Sequence, residues 1–210
     1  MSAKPNTAAA HPPAKTALLL LDYQNYIVNM IDPPEVRSKV VDAATALLKA
    51  ARAAKSPIFH CHIDFETEPV PTSKLTDRWD SALKPMLASN PEFGHEWPSL
   101  LPSNAGDAAP DNEHTVAKRP GCISAMKSKD IMSLLRDKYK VESIVMCGLV
   151  TSGALVSTAR EAADLGFVTT AVEEGCWDRS AEAHKAIFEN VLPMTAWVSG
   201  LEEALSLFQG

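Results

Sequence analysis

The stretch Ser143-Ile-Val-Met-Cys-Gly-Leu-Val-Thr-Ser-Gly-Ala-Leu-Val-Ser-Thr-Ala-Arg-Glu-Ala-Ala-Asp-Leu-Gly-Phe167 decides the fold. Its apolar run, 144–147, has strand length and no alternation, as a buried strand requires. A turn of small and hydroxyl residues follows over 148–153. Ala154, Val156, Ala159 and Ala163 then recur at helical spacing until Gly166, a stop signal. Strand, tight turn and helix aim backbone N–H groups at one point, where many α/β enzymes seat a nucleophile. Here the helix opens with Gly153 and Ala154, and neither carries a reactive atom.

Working outward, Ala17-Leu-Leu-Leu-Leu-Asp22 is a second unalternating run, and it ends in a carboxylate. Such a run reads as a central parallel strand covered on both faces. Pro33 and Pro34 open a long helix over 35–54, whose apolar face carries Val36, Val40, Ala44, Leu47, Leu48 and Ala51. A second strand is expected over 58–63 and a short third over 115–117, leading to Lys118. Further helices are expected over 129–138, 153–165, 181–191 and 201–208, with strands over 167–172 and 195–198. Strands alternating with helices define an α/β chain with a parallel sheet and right-handed crossovers. Ligands then bind at the carboxyl ends of strands, where the strand order reverses. If the first and fourth strands are neighbours there, Asp22, Lys118 and the 148–154 turn share one rim.

Between 64 and 112 the periodicity is lost among scattered prolines and the aromatics Phe65, Trp79, Phe93 and Trp97. A structureless loop of that length is rare in a compact domain. It reads as an irregular excursion with one short helix near 81–87, serving as a lid or a subunit contact, and a homo-oligomer is expected. The first fourteen residues read as a flexible tail, and 15–210 as one domain. They lack the apolar core of a signal peptide, so a cytoplasmic location is expected. A net charge of −6 argues against a nucleic-acid or anionic-membrane surface. The longest apolar run is far short of the roughly 18 residues of a membrane span. Cys61, Cys122, Cys147 and Cys176 are widely spaced, without a CxxC pair, and read as reduced core thiols.

Each candidate residue has a plain reading beside its chemical one. Asp22 is either a turn or capping aspartate, or a desolvated carboxyl suited to proton transfer. Lys118 sits beside Arg119 and is either part of a surface basic pair or a site residue. Thr151 and Ser152 read as caps, since no Gly-x-Ser-x-Gly elbow is present. His60 and His62 share one strand face and read as packed and hydrogen-bonded in preference to a metal pair, because Asp64 is their single nearby acid. Cys122 reads as structural in preference to nucleophilic.

Three pieces of the chain resemble the isochorismatase-like superfamily, also called cysteine hydrolases. They are Leu-Leu-Asp22-Tyr-Gln24, the lone Lys118, and Gly148-Leu-Val-Thr151-Ser-Gly-Ala154-Leu-Val-Ser-Thr158-Ala159, which is similar to the pattern G-x-x-T-x-x-C-V-x-x-T-A. The resemblance implies a three-layer, doubly wound α/β fold with a six-stranded parallel sheet. It implies a small-molecule substrate, no cofactor, and a catalytic set at Asp22, Lys118 and position 154. Gln24, Val150, Thr151 and Gly153 are implied as substrate-binding residues, with backbone N–H groups near 150–154 holding an oxyanion. A non-proline cis peptide is implied between Val150 and Thr151. The D-x-H zinc motif of the nicotinamidases is not reproduced around His62, so no metal is expected.

The chain departs from the family pattern at Ala154, which excludes covalent amide hydrolysis through that position. The resemblance then leaves three readings. One is vinyl-ether hydrolysis of isochorismate, with Asp22 as acid and Lys118 orienting the acidic substrate. The others are an amide hydrolase whose cysteine has become Ala154, and a ligand-binding relative.

Overall fold

The structure is a computed structural model that describes residues 4–102 and 110–209. Among these residues β1 (Thr16–Leu21), β2 (Ile58–Ile63), β3 (Glu113–Lys118), β4 (Ser143–Gly148), β5 (Val168–Val172) and β6 (Trp197–Ser199) form one sheet. All pairs are parallel, and the order is β3-β2-β1-β4-β5-β6. The helices are α1 (Asn25–Val28), α2 (Pro34–Ala53), α3 (Thr76–Arg78), α4 (Lys84–Ser89), α5 (Ile131–Ser133), α6 (Val156–Asp164), α7 (Ala181–Ala186) and α8 (Leu201–Ser206). They cover both faces of the sheet, giving the expected three-layer α/β architecture.

Every residue of β1 and of β4 is buried, which is why neither strand alternates. Leu18 to Leu21 are completely enclosed, and burial of each such side chain stabilises by about 1.5–3 kcal/mol. Helix α2 buries Val40, Ala44, Leu47, Leu48 and Ala51 on one stripe and packs against α8. Strand order reverses between β1 and β4, whose register pairs Leu21 with Gly148. A side chain on Gly148 would land on the Cβ and carbonyl oxygen of Leu21, so only glycine lets the two strand ends close up.

β3 is longer than the expected 115–117 because its first residue, Glu113, is a buried acid that breaks the apolar pattern. The last strand lies at Trp197–Ser199 instead of 195–198, because Thr195 N–H closes a turn onto Leu192 O. The excursion over 64–112 is described apart from 103–109. It holds α3, a π-helical turn (Trp79–Leu83) and α4 in one run, starting earlier than the helix expected over 81–87. Phe65 stacks on Trp79 and meets Tyr26 of α1 edge-on, with ring centroids 6.1 Å and 5.2 Å apart. That aromatic file holds the excursion against the rim of the sheet.

Residues 1–3 of the expected flexible tail lie outside the described residues. The remainder forms two short turns: Trp197 donates to Asn6 O, and His11 bonds to Glu142 and Pro5 O. The bonds of Asn6 O to Trp197 and of His11 to Glu142 tie the segment to the rest of the molecule. No described helix is long and apolar enough to cross a membrane.

Candidate active site

Asp22 follows the last residue of β1 with φ of 55°, a left-handed conformation that aspartate tolerates better than most residues. Its N–H still bonds to Cys61 O, so the sheet pairing runs to the end of the strand while the carboxyl turns into the cleft. Lys118 ends β3, two strands away, a separation of about 9–10 Å. Its buried side chain spans that gap and places Nζ 2.5 Å from Asp22 Oδ1. The lysine is 1% exposed and the aspartate 3%. Burial raises the Asp22 pKa above the usual carboxylate range, while the charge and hydrogen bond of Lys118, and the nearby His62, act in the opposite direction. The result is a carboxyl that takes up a proton more readily than an exposed one.

The turn after β4 is clamped from both sides. Leu149 N–H bonds to Leu21 O, and Thr151 N–H bonds to Trp177 O. The non-proline cis peptide lies between those clamps, at Leu149–Val150, one bond earlier than the expected Val150–Thr151. A π-helical turn (Thr151–Leu155) then runs into α6 and carries Ala154. Ser152 N–H is taken by Asp178 Oδ2 at 2.7 Å, and Gly153 N–H by Val150 O. Among the described residues, the N–H of Val150 is left out of this set of bonds.

Two connected cavities meet at Asp22 and Ala154. The narrower arm, about 310 Å³, also touches Tyr26, Val150, Ser152 and Arg179. The wider arm, about 600 Å³, includes Lys118, Lys74, Cys122 and the exposed Ile123. Arg78 and Leu75, from the excursion, line both. The excursion therefore forms a wall of the cleft.

Asp22, Lys118, Ala154 and Val150 are brought together as the sequence suggested. Three other expected residues are placed elsewhere. Gln24 spends its amide on Ile63 and Gly94, so it ties β2 to the excursion and does not line this cleft. Thr151 is fully buried, with its hydroxyl 2.8 Å from His184 Nδ1. Gly153 is outside the lining, and its neighbour Ser152 takes that place. Gln24, Thr151 and Gly153 thus lie outside the lining of the two arms that meet at Asp22.

Asp178 was not singled out in the sequence, although Asp-x-Ser before a helix is a capping signal. Burial acts against its charged form, but N–H bonds from Ser152 and Ser180 prevail and hold its pKa below the usual value. Arg78, Arg179 and Tyr26 had no sequence signal at all.

Cys61, Cys147 and Cys176 are buried under the sheet end, and burial pushes each thiol pKa up, that of Cys147 to about 12. Thiols held protonated in this way are poor nucleophiles. The paired histidines lie on a shared face. His60 bonds to Glu96 at 2.8 Å and to Glu113 at 2.9 Å, and His62 Nε2 lies 3.3 Å from Glu96. Arg52 completes this cluster with a two-pronged contact to Glu113.

A doubly wound parallel sheet with an acid–lysine pair at its reversal point and a helix-opening turn facing it defines a class of α/β hydrolytic enzymes. The profile of the isochorismatase domain matches residues 16–203, and the chain belongs to that family. It is 29% identical over 197 residues to the uncharacterized isochorismatase family protein YecD of Escherichia coli O157:H7, covering 91% of this chain and 95% of that one. Among solved structures, an isochorismatase family protein from Burkholderia thailandensis superposes with a TM-score of 0.70. Its identity is 22%, with 94% of this chain and 97% of that chain covered. N-carbamoylsarcosine amidase from Thermoplasma acidophilum superposes with a TM-score of 0.67 at 17% identity, with 90% and 97% covered. Members of this family are hydrolases.

Proposed function

We propose that this protein is a small-molecule hydrolase working by acid–base chemistry at Asp22, without a covalent intermediate. The observation that carries this is the convergence of Asp22, Lys118 and Ala154 on one cleft, with no nucleophile at position 154. A desolvated carboxyl held against a lysine is suited to give a proton and take one back. Vinyl-ether hydrolysis of isochorismate uses both transfers. Asp22 protonates the terminal enol carbon, which leaves an oxocarbenium at the ether carbon. Water adds there and returns a proton to Asp22. The resulting hemiketal then collapses: the bond from the former enol carbon to the ether oxygen breaks, the hydroxyl proton passes to that oxygen, which stays on the ring, and pyruvate and a dihydroxy-cyclohexadiene acid are released. Lys118, fixed on the Asp22 carboxyl, acts here by positioning and charge.

A second reading is an amide hydrolase in which Ala154 stands where a cysteine would attack. It is favoured by the N–H of Val150, which makes none of the turn's bonds and suits an oxyanion. One experiment separates the two. The parent protein and Ala154→Cys are each given isochorismate and a panel of small amides, with pyruvate and ammonia as readouts. Pyruvate from the parent, level or reduced in Ala154→Cys, is expected. Ammonia from Ala154→Cys alone would favour the amidase reading. Neither product from either protein would favour a ligand-binding relative.

A further inference from the structure

Behind the turn that carries Ala154, three polar groups stand in a row. The Thr151 hydroxyl meets His184 Nδ1 of α7 at 2.8 Å, and His184 Nε2 lies 3.6 Å from Oε1 of Glu173, the residue after β5. Hydroxyl, imidazole and carboxylate in that order form the arrangement of a nucleophilic triad. This one cannot attack a substrate. Thr151 is completely enclosed, and neither it nor His184 lines either arm of the cleft. Its neighbours Val150 and Ser152 do line the narrow arm, so Thr151 anchors the turn on the side away from the cavity.

The partners of Thr151 and Ser152 come from one short segment, 177–184, which grips the turn at successive residues. Trp177 O accepts Thr151 N–H at 2.9 Å, and Asp178 Oδ2 accepts Ser152 N–H at 2.7 Å. Asp178 Oδ1 accepts Ser180 N–H, and Ser180 Oγ accepts Ala183 N–H at the start of α7. The grip is therefore continuous with the helix that carries His184. The His184 ring rests on the buried Phe188, with ring centroids 4.9 Å apart. With the Nε2 proton turned toward Glu173, Nδ1 keeps its lone pair and accepts from the Thr151 O–H. A buried hydroxyl without such a partner is costly, which gives this bond its hold on the turn. The two main-chain bonds fix residues 151 and 152, and the side-chain bond adds a third tether from the helix itself.

We infer that His184 is a positioning residue: oriented by Glu173, it fixes the 149–155 turn through the Thr151 hydroxyl. It thereby sets the wall that Val150 and Ala154 present to Asp22. Its effect on turnover rests on the hydrolase reading of the cleft, whereas the tether itself is measured without substrate.

Hydrogen exchange of the backbone amides in 149–155 reads the tether, and pyruvate release from isochorismate reads its consequence. His184→Leu and Thr151→Val should each speed that exchange by about tenfold, the effect of roughly one hydrogen bond. Each should lower kcat by about 10- to 100-fold, as a misplaced reacting geometry does, with KM within about threefold. The double variant should be no worse than either single one, because both changes remove the same bond. His184→Asn, whose side-chain oxygen can replace Nδ1 as acceptor, and Thr151→Ser should recover most of the loss. Lys185→Gln, on the exposed face of α7, should change neither readout. Unchanged exchange in both disrupting variants, losses that add in the double variant, or full kcat beside faster exchange would overturn the inference. So would failure of the two conservative variants to recover. A parent that releases no pyruvate would count against the vinyl-ether reaction, and the exchange pattern alone would then uphold or overturn the tether.

Discussion

Two buried charge clusters lie within a few strands of each other, and they differ in what they face. Asp22 and Lys118 close the ends of β1 and β3, and both line cavities. His60, Glu96, Glu113 and Arg52 form a comparable cluster lower on β2 and β3, where His60 is fully enclosed and both carboxylates are nearly so. In the first cluster desolvation prevails, and the Asp22 pKa rises. In the second, burial also favours the neutral acids. Hydrogen bonds from His60, joined by His62 at Glu96 and Arg52 at Glu113, outweigh it and hold both carboxylates low, Glu113 at about 2. Burial and charge alone therefore do not mark a site. An acid that opens on a cavity does, whereas one enclosed among hydrogen-bonding partners serves as a fastening.

The sharpest break of this comparison is Asp22→Asn. Turnover should fall by roughly 10²–10⁴-fold, the usual weight of a general acid–base. The chain should still fold, because an amide oxygen can accept from Lys118, which circular dichroism would verify. The converse variant is Glu113→Gln. It removes one charge from between His60 and Arg52, and breaking such a buried pair costs about 3–5 kcal/mol. Chemical denaturation should show that loss, with kcat staying within a few-fold. A large fall in kcat at unchanged stability would place the second cluster in the chemistry.

Gly148→Ala addresses the geometry that brings the first cluster together. Forcing a methyl group onto Leu21 should destabilise by about 1–3 kcal/mol, and by pushing the β4 turn off β1 it should also lower turnover. Wild-type stability at this position would show that the strand ends can part freely.

The smallest expected effect is the pH dependence of stability. The lowered Glu113 pKa contributes stability that is present above its ordinary value of 4.5 and lost as pH falls toward about 2. Burial lowers the His60 pKa, but bonds to Glu113 and Glu96 outweigh it and raise the value above 6.5. That contribution is complete below 6.5 and disappears as pH rises through the higher folded value. Denaturation midpoints should accordingly peak between pH 4.5 and 6.5, and Glu113→Gln should flatten the peak.

The same contrast explains what was legible in the sequence. β1 and β4 were readable because enclosure on both faces leaves an unbroken apolar run, and Asp22 stood out as the charge ending one of them. The junction at 148–154 was readable because turn and helix signals are local. The β3 start was hidden by Glu113, whose partners Arg52 and His60 lie 61 and 53 residues away. Gln24 was named through the family resemblance of Leu-Leu-Asp22-Tyr-Gln24, and its local sequence gave no sign that its amide joins β2 and the excursion through carbonyls 39 and 70 residues distant. Arg78 and Arg179 carry no local pattern. Only the folded excursion and the β5 loop bring them to one cavity.

The central claim, that Asp22 delivers a proton to carbon without a covalent intermediate, is tested most directly by turnover of isochorismate in heavy water with mass analysis of the pyruvate released. The account predicts pyruvate carrying one solvent-derived deuterium on its methyl carbon, formed at least 10²-fold more slowly by Asp22→Asn. Absence of pyruvate, or the same labelled product at parental rate from Asp22→Asn, would contradict it.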